Sequence, residues 1–180
     1  MRYVKNKLFS KNYEIIFKDK SLFEKEYSIY NKKLSYSPEF IKSNYNKPSL
    51  TIEKIKGNTL QKYINNSKSY HQKKKGLLKS LELLSDFQKD ISNINFRGFD
   101  QNYFQEDFIK QYEKATNNKI EKPSPLEIVK SHGDFHAENI LIKQKELYLI
   151  DFSNTGYVPK GWDIIKLVEN GSLKISPKLR

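Results

Sequence analysis

Ser131-His132-Gly133-Asp134-Phe135-His136-Ala137-Glu138-Asn139-Ile140-Leu141-Ile142 and, after the polar Lys143-Gln144-Lys145-Glu146, Leu147-Tyr148-Leu149-Ile150-Asp151-Phe152 form the stretch on which the reading turns. Two short apolar runs either side of a polar tetrapeptide predict a β-hairpin. The polar skeleton is Asp134, Asn139 five residues later, and Asp151 twelve residues after that. A loop carrying Asp134 and Asn139, followed by a hairpin that returns Asp151 to the same place, gathers three oxygen-bearing side chains. Phosphoryl transfer needs such a set: a carboxylate to accept the proton of an attacking hydroxyl, and oxygen ligands to hold magnesium against the phosphates. Alone, each residue says little. A loop aspartate is usually a turn former or helix cap. His132 by itself reads as a structural hydrogen bonder, and His136 as a residue lining the site. The weight lies in the spacing combined with the strand–turn–strand context.

Upstream, segments 2–9 and 13–18 read as the strands of a hairpin, with Ser10-Lys11-Asn12 as its turn. Ser21 is placed to cap a helix whose apolar positions run through Leu22, Phe23, Ile29, Tyr30 and Leu34. Phe40-Ile41 and Leu50-Thr51-Ile52 predict two more strands. Gly57 breaks the pattern, and Asn58 or Thr59 caps a short helix through Leu60 and Ile64. The clearest helix spans about 72–94, where Leu77, Leu81, Leu84, Phe87, Ile91 and Ile94 form one apolar stripe. A second amphipathic stretch covers Phe104 to Tyr112. Pro123 and Pro125 close a polar stretch, and Leu126–Val129 begin the next element. The order predicts an α+β, two-lobed chain: a strand-rich part over residues 1–56 and a mostly helical part over 57–180 with one embedded hairpin, the cleft lying between them.

The His132-Gly133-Asp134 triplet with Asn139 and Asp151 resembles the catalytic and metal loops of the protein-kinase-like fold, in the branch of aminoglycoside phosphotransferases and choline kinases. The protein-kinase loop H-R-D-x4-N has the same spacing. Gly133 in place of arginine and His136 in place of lysine resemble the small-molecule branch. Trp162-Asp163-Ile164 resembles the aspartate that opens the next helix there and braces the catalytic loop.

The resemblance implies an ATP-dependent phosphotransferase that moves the γ-phosphate to a hydroxyl of a small molecule, with ATP and Mg2+ as cofactors. It implies a small antiparallel-sheet N-terminal lobe and an abbreviated, mostly helical C-terminal lobe. Asp134 would be the catalytic base with His132 beside it in the catalytic loop, and Asn139 and Asp151 the metal ligands. Lys18, at the end of Ile15-Ile16-Phe17, falls where that fold places its phosphate-binding lysine, and Glu26 would be its ion-pair partner; Lys20 and Glu24 are rivals. Glu53 and Ile55 would offer backbone groups to adenine, and Gly57 would open the second lobe. No glycine occurs before Gly57, so that stretch lacks the Gly-rich loop that covers the phosphates.

The composition fits this reading. With 180 residues, Tyr 12, Phe 11 and 37% hydrophobic content, the chain can bury a core. The absence of cysteine excludes disulfides, thiolate catalysis and Cys-based zinc sites. No 18-residue apolar run and no secretory leader stand out, so a cytoplasmic enzyme is expected. The net charge of +12 arises from lysines scattered along the chain, apart from Lys73–Lys75, and reads as solvated surface rather than a nucleic-acid-binding face. Glu138, Asp163 and Glu169 are the acidic residues near the site that could meet a cationic acceptor. Other readings stay open: an atypical kinase acting on protein or on a lipopolysaccharide-type sugar, or a degenerate kinase-like module that binds a nucleotide or partner.

Overall fold

The structure, a computed structural model, describes residues 2–5, 10–96 and 127–169. Strands β1 (Arg2–Lys5), β2 (Asn12–Phe17), β3 (Phe40–Asn44) and β4 (Ser49–Glu53) form one antiparallel sheet in the order β1-β2-β4-β3. Along β2, Ile15 and Phe17 are buried, so one parity of the strand packs inward. Helix α1 (Lys20–Tyr30) covers that face with Phe23, Glu26, Ile29 and Tyr30. Its cap is Asp19, whose carboxylate accepts from the Ser21 and Leu22 amides at 2.8 and 3.4 Å, and not Ser21 as expected. The helix also stops short of Leu34, and Asn12 belongs to β2 rather than to the preceding turn.

Strand β5 (Asn58–Thr59) leads straight into α2 (Leu60–Asn66), where Thr59 Oγ1 accepts from the Lys62 amide at 3.2 Å. Helix α3 follows over Tyr70–Asp90. Its buried residues are Gly76, Ser80, Leu83, Leu84 and Phe87, whereas Leu81 is 37% exposed. The expected stripe holds at Leu84, Phe87 and Ile91, with Leu77 and Ile94 packed on the core, and departs at Leu81, while Gly76 and Ser80 also turn inward. A Cβ on Gly76 would stand 3.3 Å from a Leu60 methyl, so α2 packs closely against α3 at that point. The amphipathic stretch at 104–112 lies outside the described residues.

Strand β6 (Ile128–Ser131) pairs with β9 (Gly156–Pro159), and β7 (Ile140–Lys143) pairs with β8 (Glu146–Leu149) as the expected hairpin. The two-residue turn Gln144-Lys145 has φ of 52° and 73°, the left-handed pair that matches the twist of a tight hairpin, here without glycine. β5 joins the edge of β7, and helix α4 (Trp162–Glu169) follows β9. Strand β9 was not foreseen, because its glycine and proline argue against a strand.

The core is continuous from the four-stranded sheet into the second part of the chain, and Phe152 is its hub. That ring stacks on Phe87 at 5.5 Å and meets Tyr30 of α1 edge-on at 5.0 Å and His132 at 5.7 Å. None of these four side chains is more than 1% exposed. Phe87→Ala should therefore lower the unfolding free energy by about 3–5 kcal/mol. Leu78→Ala on the same helix, at a site 50% exposed, should stay within about 0.5 kcal/mol. Equilibrium denaturation measures both.

Candidate active site

The loop between β6 and β7 is built around one carboxylate. Asp163, 2% exposed at the start of α4, accepts from Ser131 Oγ at 2.5 Å, the Gly133 amide at 3.1 Å and the Phe135 amide at 3.2 Å. Gln88 of α3 donates to Ser131 Oγ at 2.8 Å, and Trp162 Nε1 donates to the Gly133 carbonyl at 3.0 Å. Gly133 has φ of +80°, and a Cβ there would lie 2.2 Å from the Asn154 carbonyl oxygen. Both constraints demand glycine.

His132 is fully buried beneath the loop. Its Nε2 lies 3.0 Å from the Ile150 carbonyl, so Nε2 carries the proton and Nδ1 is left without a partner. Burial holds the ring below its ordinary pKa against the pull of Asp163, the Ile150 carbonyl, Asp151 and Asp134, so the ring is neutral at pH 7. A side chain with no exposed surface does not meet a substrate. His132 ties the loop to Ile150, the residue between β8 and Asp151.

Asp134 is 27% exposed at its side chain. Asn139 Nδ2 donates to the Asp134 carbonyl at 2.9 Å and lies 3.4 Å from its Oδ2. His136 Nε2 also stands 3.4 Å from Oδ2, while His136 Nδ1 accepts from the Glu138 amide at 3.3 Å. That second bond places the ring proton on Nε2, facing the Asp134 carboxylate. The Ile150 amide donates to the Asn139 carbonyl at 3.0 Å, which brings the start of the hairpin and its end together. Asp151 follows with φ of +64°, a conformation aspartate tolerates. Its Oδ1 accepts from Ser153 Oγ at 2.6 Å and from Arg2 Nη2. Asp134, Asn139 and Asp151 are thus gathered at one end of the hairpin.

The opposite wall differs from expectation. Glu26 is buried, and its Oε1 lies 3.3 Å from Arg2 Nε rather than beside Lys18. Lys18 is exposed just past β2, on the parity opposite to Ile15 and Phe17. Lys20 is exposed as well and pairs with Glu24 along α1 at 4.0 Å. Lys25 Nζ donates to the Ser153 carbonyl at 2.5 Å, and burial lowers its pKa. Between the walls lies a cavity of about 420 Å³. Val4, Ile15, Ile52, Ile55, Leu141 and Ile150 make it apolar, and Arg2 and Asp151 line it as well. Glu53 faces Lys143 at 3.2 Å across it, and a Cβ on Gly57 would stand 2.4 Å from the Ile142 carbonyl. Of the acidic residues foreseen for a cationic acceptor, Glu138 is exposed, Asp163 is consumed by the loop, and the Glu169 side chain lies outside the described residues.

Two consequences are measurable. Asp163→Asn leaves three donors facing one good acceptor, and loss of hydrogen bonds to a buried charge should cost on the order of 3 kcal/mol in equilibrium unfolding. Burial raises the Glu26 pKa to about 7, opposed by Arg2 and Lys25 and reinforced by Asp151. A carboxyl raised above its unfolded value stabilises the fold at low pH, and that contribution is lost as pH rises from about 4.5 through 7. Wild-type stability should fall over that window, and Glu26→Gln should flatten the fall by on the order of 3 kcal/mol between pH 5 and 8. Denaturation at the two pH values tests this.

Comparison with known proteins places this geometry. The chain resembles a choline/ethanolamine kinase family protein from Mesorhizobium loti with a TM-score of 0.57 and 14% identity, over 92% of this chain and 60% of that one. It resembles an aminoglycoside-3'-phosphotransferase of type VIII with a TM-score of 0.51 and 12% identity, over 92% of this chain and 72% of that one. For choline kinase LicA from Streptococcus pneumoniae the TM-score is 0.51 and the identity 12%, over 97% and 67%. The chain thus spans from 60% to 72% of the length of these proteins. At such identities the likeness establishes the fold, the two-lobed α+β protein-kinase-like architecture. No curated protein sequence matches the chain. The model of the phosphotransferase enzyme family matches residues 60–180, more than half of the sequence and the whole of the loop between β6 and β7, and the chain belongs to that family.

Proposed function

We propose that the chain transfers the γ-phosphate of ATP to a hydroxyl group of a small molecule. The observation that carries this reading is the cavity: a largely apolar space of about 420 Å³ with Asp151 on its wall and the Asp134–Asn139 loop joined to that wall through the Ile150 amide. Adenine would lie between Ile15, Ile52, Leu141 and Ile150. The Glu53 and Lys54 amides are already bonded to the Glu39 and Lys11 carbonyls, which leaves the backbone at Ile55 as the hinge donor for the base.

The oxygen donors suit a hard divalent cation. Because Asn139 Nδ2 is taken by Asp134, the Oδ1 end of that amide is the one left for a ligand. The Asp151 contacts to Arg2 and Ser153 fall on Oδ1, so Oδ2 would be the oxygen offered to a metal. Two protein oxygens supplemented by phosphate and water are the usual magnesium arrangement. Bound there with the nucleotide, Mg2+ would neutralise charge on the phosphates. Asp134 would orient the acceptor hydroxyl and take its proton as the oxygen bonds to the γ-phosphorus and the bond to the β-phosphate oxygen breaks, releasing ADP. His136 Nε2, 3.4 Å from Asp134 Oδ2, faces that carboxylate.

A second reading, a nucleotide-binding module without turnover, is favoured by one observation: Arg2 sits on the carboxylate that the metal needs. A transfer assay with Mg-ATP and a panel of hydroxyl acceptors decides between them, since turnover on any acceptor rejects the inactive module. Asp134→Asn should cut transfer by about 10²–10⁴-fold while Mg-ATP binding survives. Asp151→Asn should abolish transfer and weaken Mg-ATP binding as well. Wild-type rates in Asp134→Asn would refute the mechanism.

A further inference from the structure

We infer that Arg2, and not a lysine of β2 or α1, is the cation that grips the nucleotide phosphates, an inference that rests on the kinase reading above. Strand parity carries it. The inward positions of β2 are Tyr13, Ile15 and Phe17, none of them charged. Lys18 falls on the outward parity, Lys20 belongs to the exposed start of α1, and Lys25 is held on the Ser153 carbonyl. The central strand therefore delivers no positive charge to the cleft. The neighbouring strand does. Arg2 is the direct antiparallel partner of Phe17, and residues opposite each other in such a pair share a face. Arg2 thus points inward, 17% exposed, and reaches the two acidic groups that frame the cleft.

The geometry fits a phosphate anchor better than a structural ion pair. Nε lies 3.3 Å from Glu26 Oε1 without hydrogen-bond geometry, and both Glu26 oxygens lack a hydrogen bond. Glu26 is thus a buried neighbour that packs beside the guanidinium without consuming its donors. Nη2 rests on Asp151, on the wall of the cavity. A guanidinium carries five N–H donors in a planar fork and binds phosphate through two at once, so a third partner is accommodated. Asp151 is the shared element. With a phosphate present, its carboxylate is drawn toward the metal while the fork turns its free edge to the phosphate oxygens. Without a nucleotide, the same fork neutralises Asp151, which would otherwise face Glu26 as a like charge.

Calorimetric titration of the full chain with ATP, ADP and adenosine in magnesium buffer tests this. The variants are Arg2→Ala, Arg2→Lys, Lys18→Ala, and the double Arg2→Ala/Glu26→Gln, which removes the buried Glu26 carboxyl together with its guanidinium neighbour; thermal unfolding of each variant checks that it is folded. Arg2→Ala and the double variant should lose at least about tenfold in ATP and ADP affinity, the loss of a hydrogen bond to a charged group, with adenosine affinity unchanged. Arg2→Lys should recover part of it, and Lys18→Ala should match the wild type. A merely structural role would weaken adenosine and ATP alike, which would overturn the inference. So would wild-type ATP affinity in the double variant, or a Lys18→Ala loss equal to that of Arg2→Ala; either result leaves the kinase reading standing. A wild type that binds none of the three ligands would overturn both.

Discussion

Everything at the site hangs on the Asp163 carboxylate. A loop from His132 to Asn139 that must point a carboxylate and an amide into a cleft cannot rely on ladder hydrogen bonds, because it belongs to no sheet. Its backbone donors need another acceptor, and a buried carboxylate with two oxygens is a strong one. Asp163 takes two backbone amides and a hydroxyl, and Trp162 takes the Gly133 carbonyl. The first turn of α4 therefore works as the template for the loop. A charge buried in this way is costly if left unpaired, so the loop and the helix start form together or not at all.

A second unit joins the sheet side to this template. Phe152 sits between Tyr30, Phe87 and His132, and Lys25 reaches the carbonyl of the next residue, Ser153. The segment that carries Asp151 is thus clamped from α1, α3 and the loop between β6 and β7 at once. A shift of α1 along the sheet would move Glu26 and Lys25 together, and with them the Arg2 and Asp151 pair. The charges around the cleft are coupled through packing, not only through Coulomb attraction.

What the sequence made legible was what is local. The hairpin, the five-residue step from Asp134 to Asn139 and the return at Asp151 are short-range patterns, and the pairing of Ile140 with Leu149 follows from them. Features set by tertiary approach were hidden. The buried face of α3 also takes in Gly76 and Ser80, with α2 packed closely at Gly76, and no periodicity of large residues reveals that. The cap of α1 went to Asp19 over Ser21, a choice between two good capping residues two positions apart. Arg2 was invisible for a different reason. Its partners lie on another element and at the far end of the hairpin, and only the register of β1 against β2 turns it inward. Strand β9 escaped because glycine and proline flank its two buried-leaning residues, Tyr157 and Val158, and pairing with β6 overrides their propensity.

Gly133 has a consequence for how such loops diverge. The protein-kinase loop carries arginine between its histidine and its aspartate. In this chain that position has a left-handed backbone and faces the Asn154 carbonyl at a distance that admits no side chain. An arginine there would have to push the segment after Asp151 away before it could be tolerated. In this chain, exchange of Gly133 for arginine is therefore not a side-chain change alone: the turn at residues 152–154 would have to move with it.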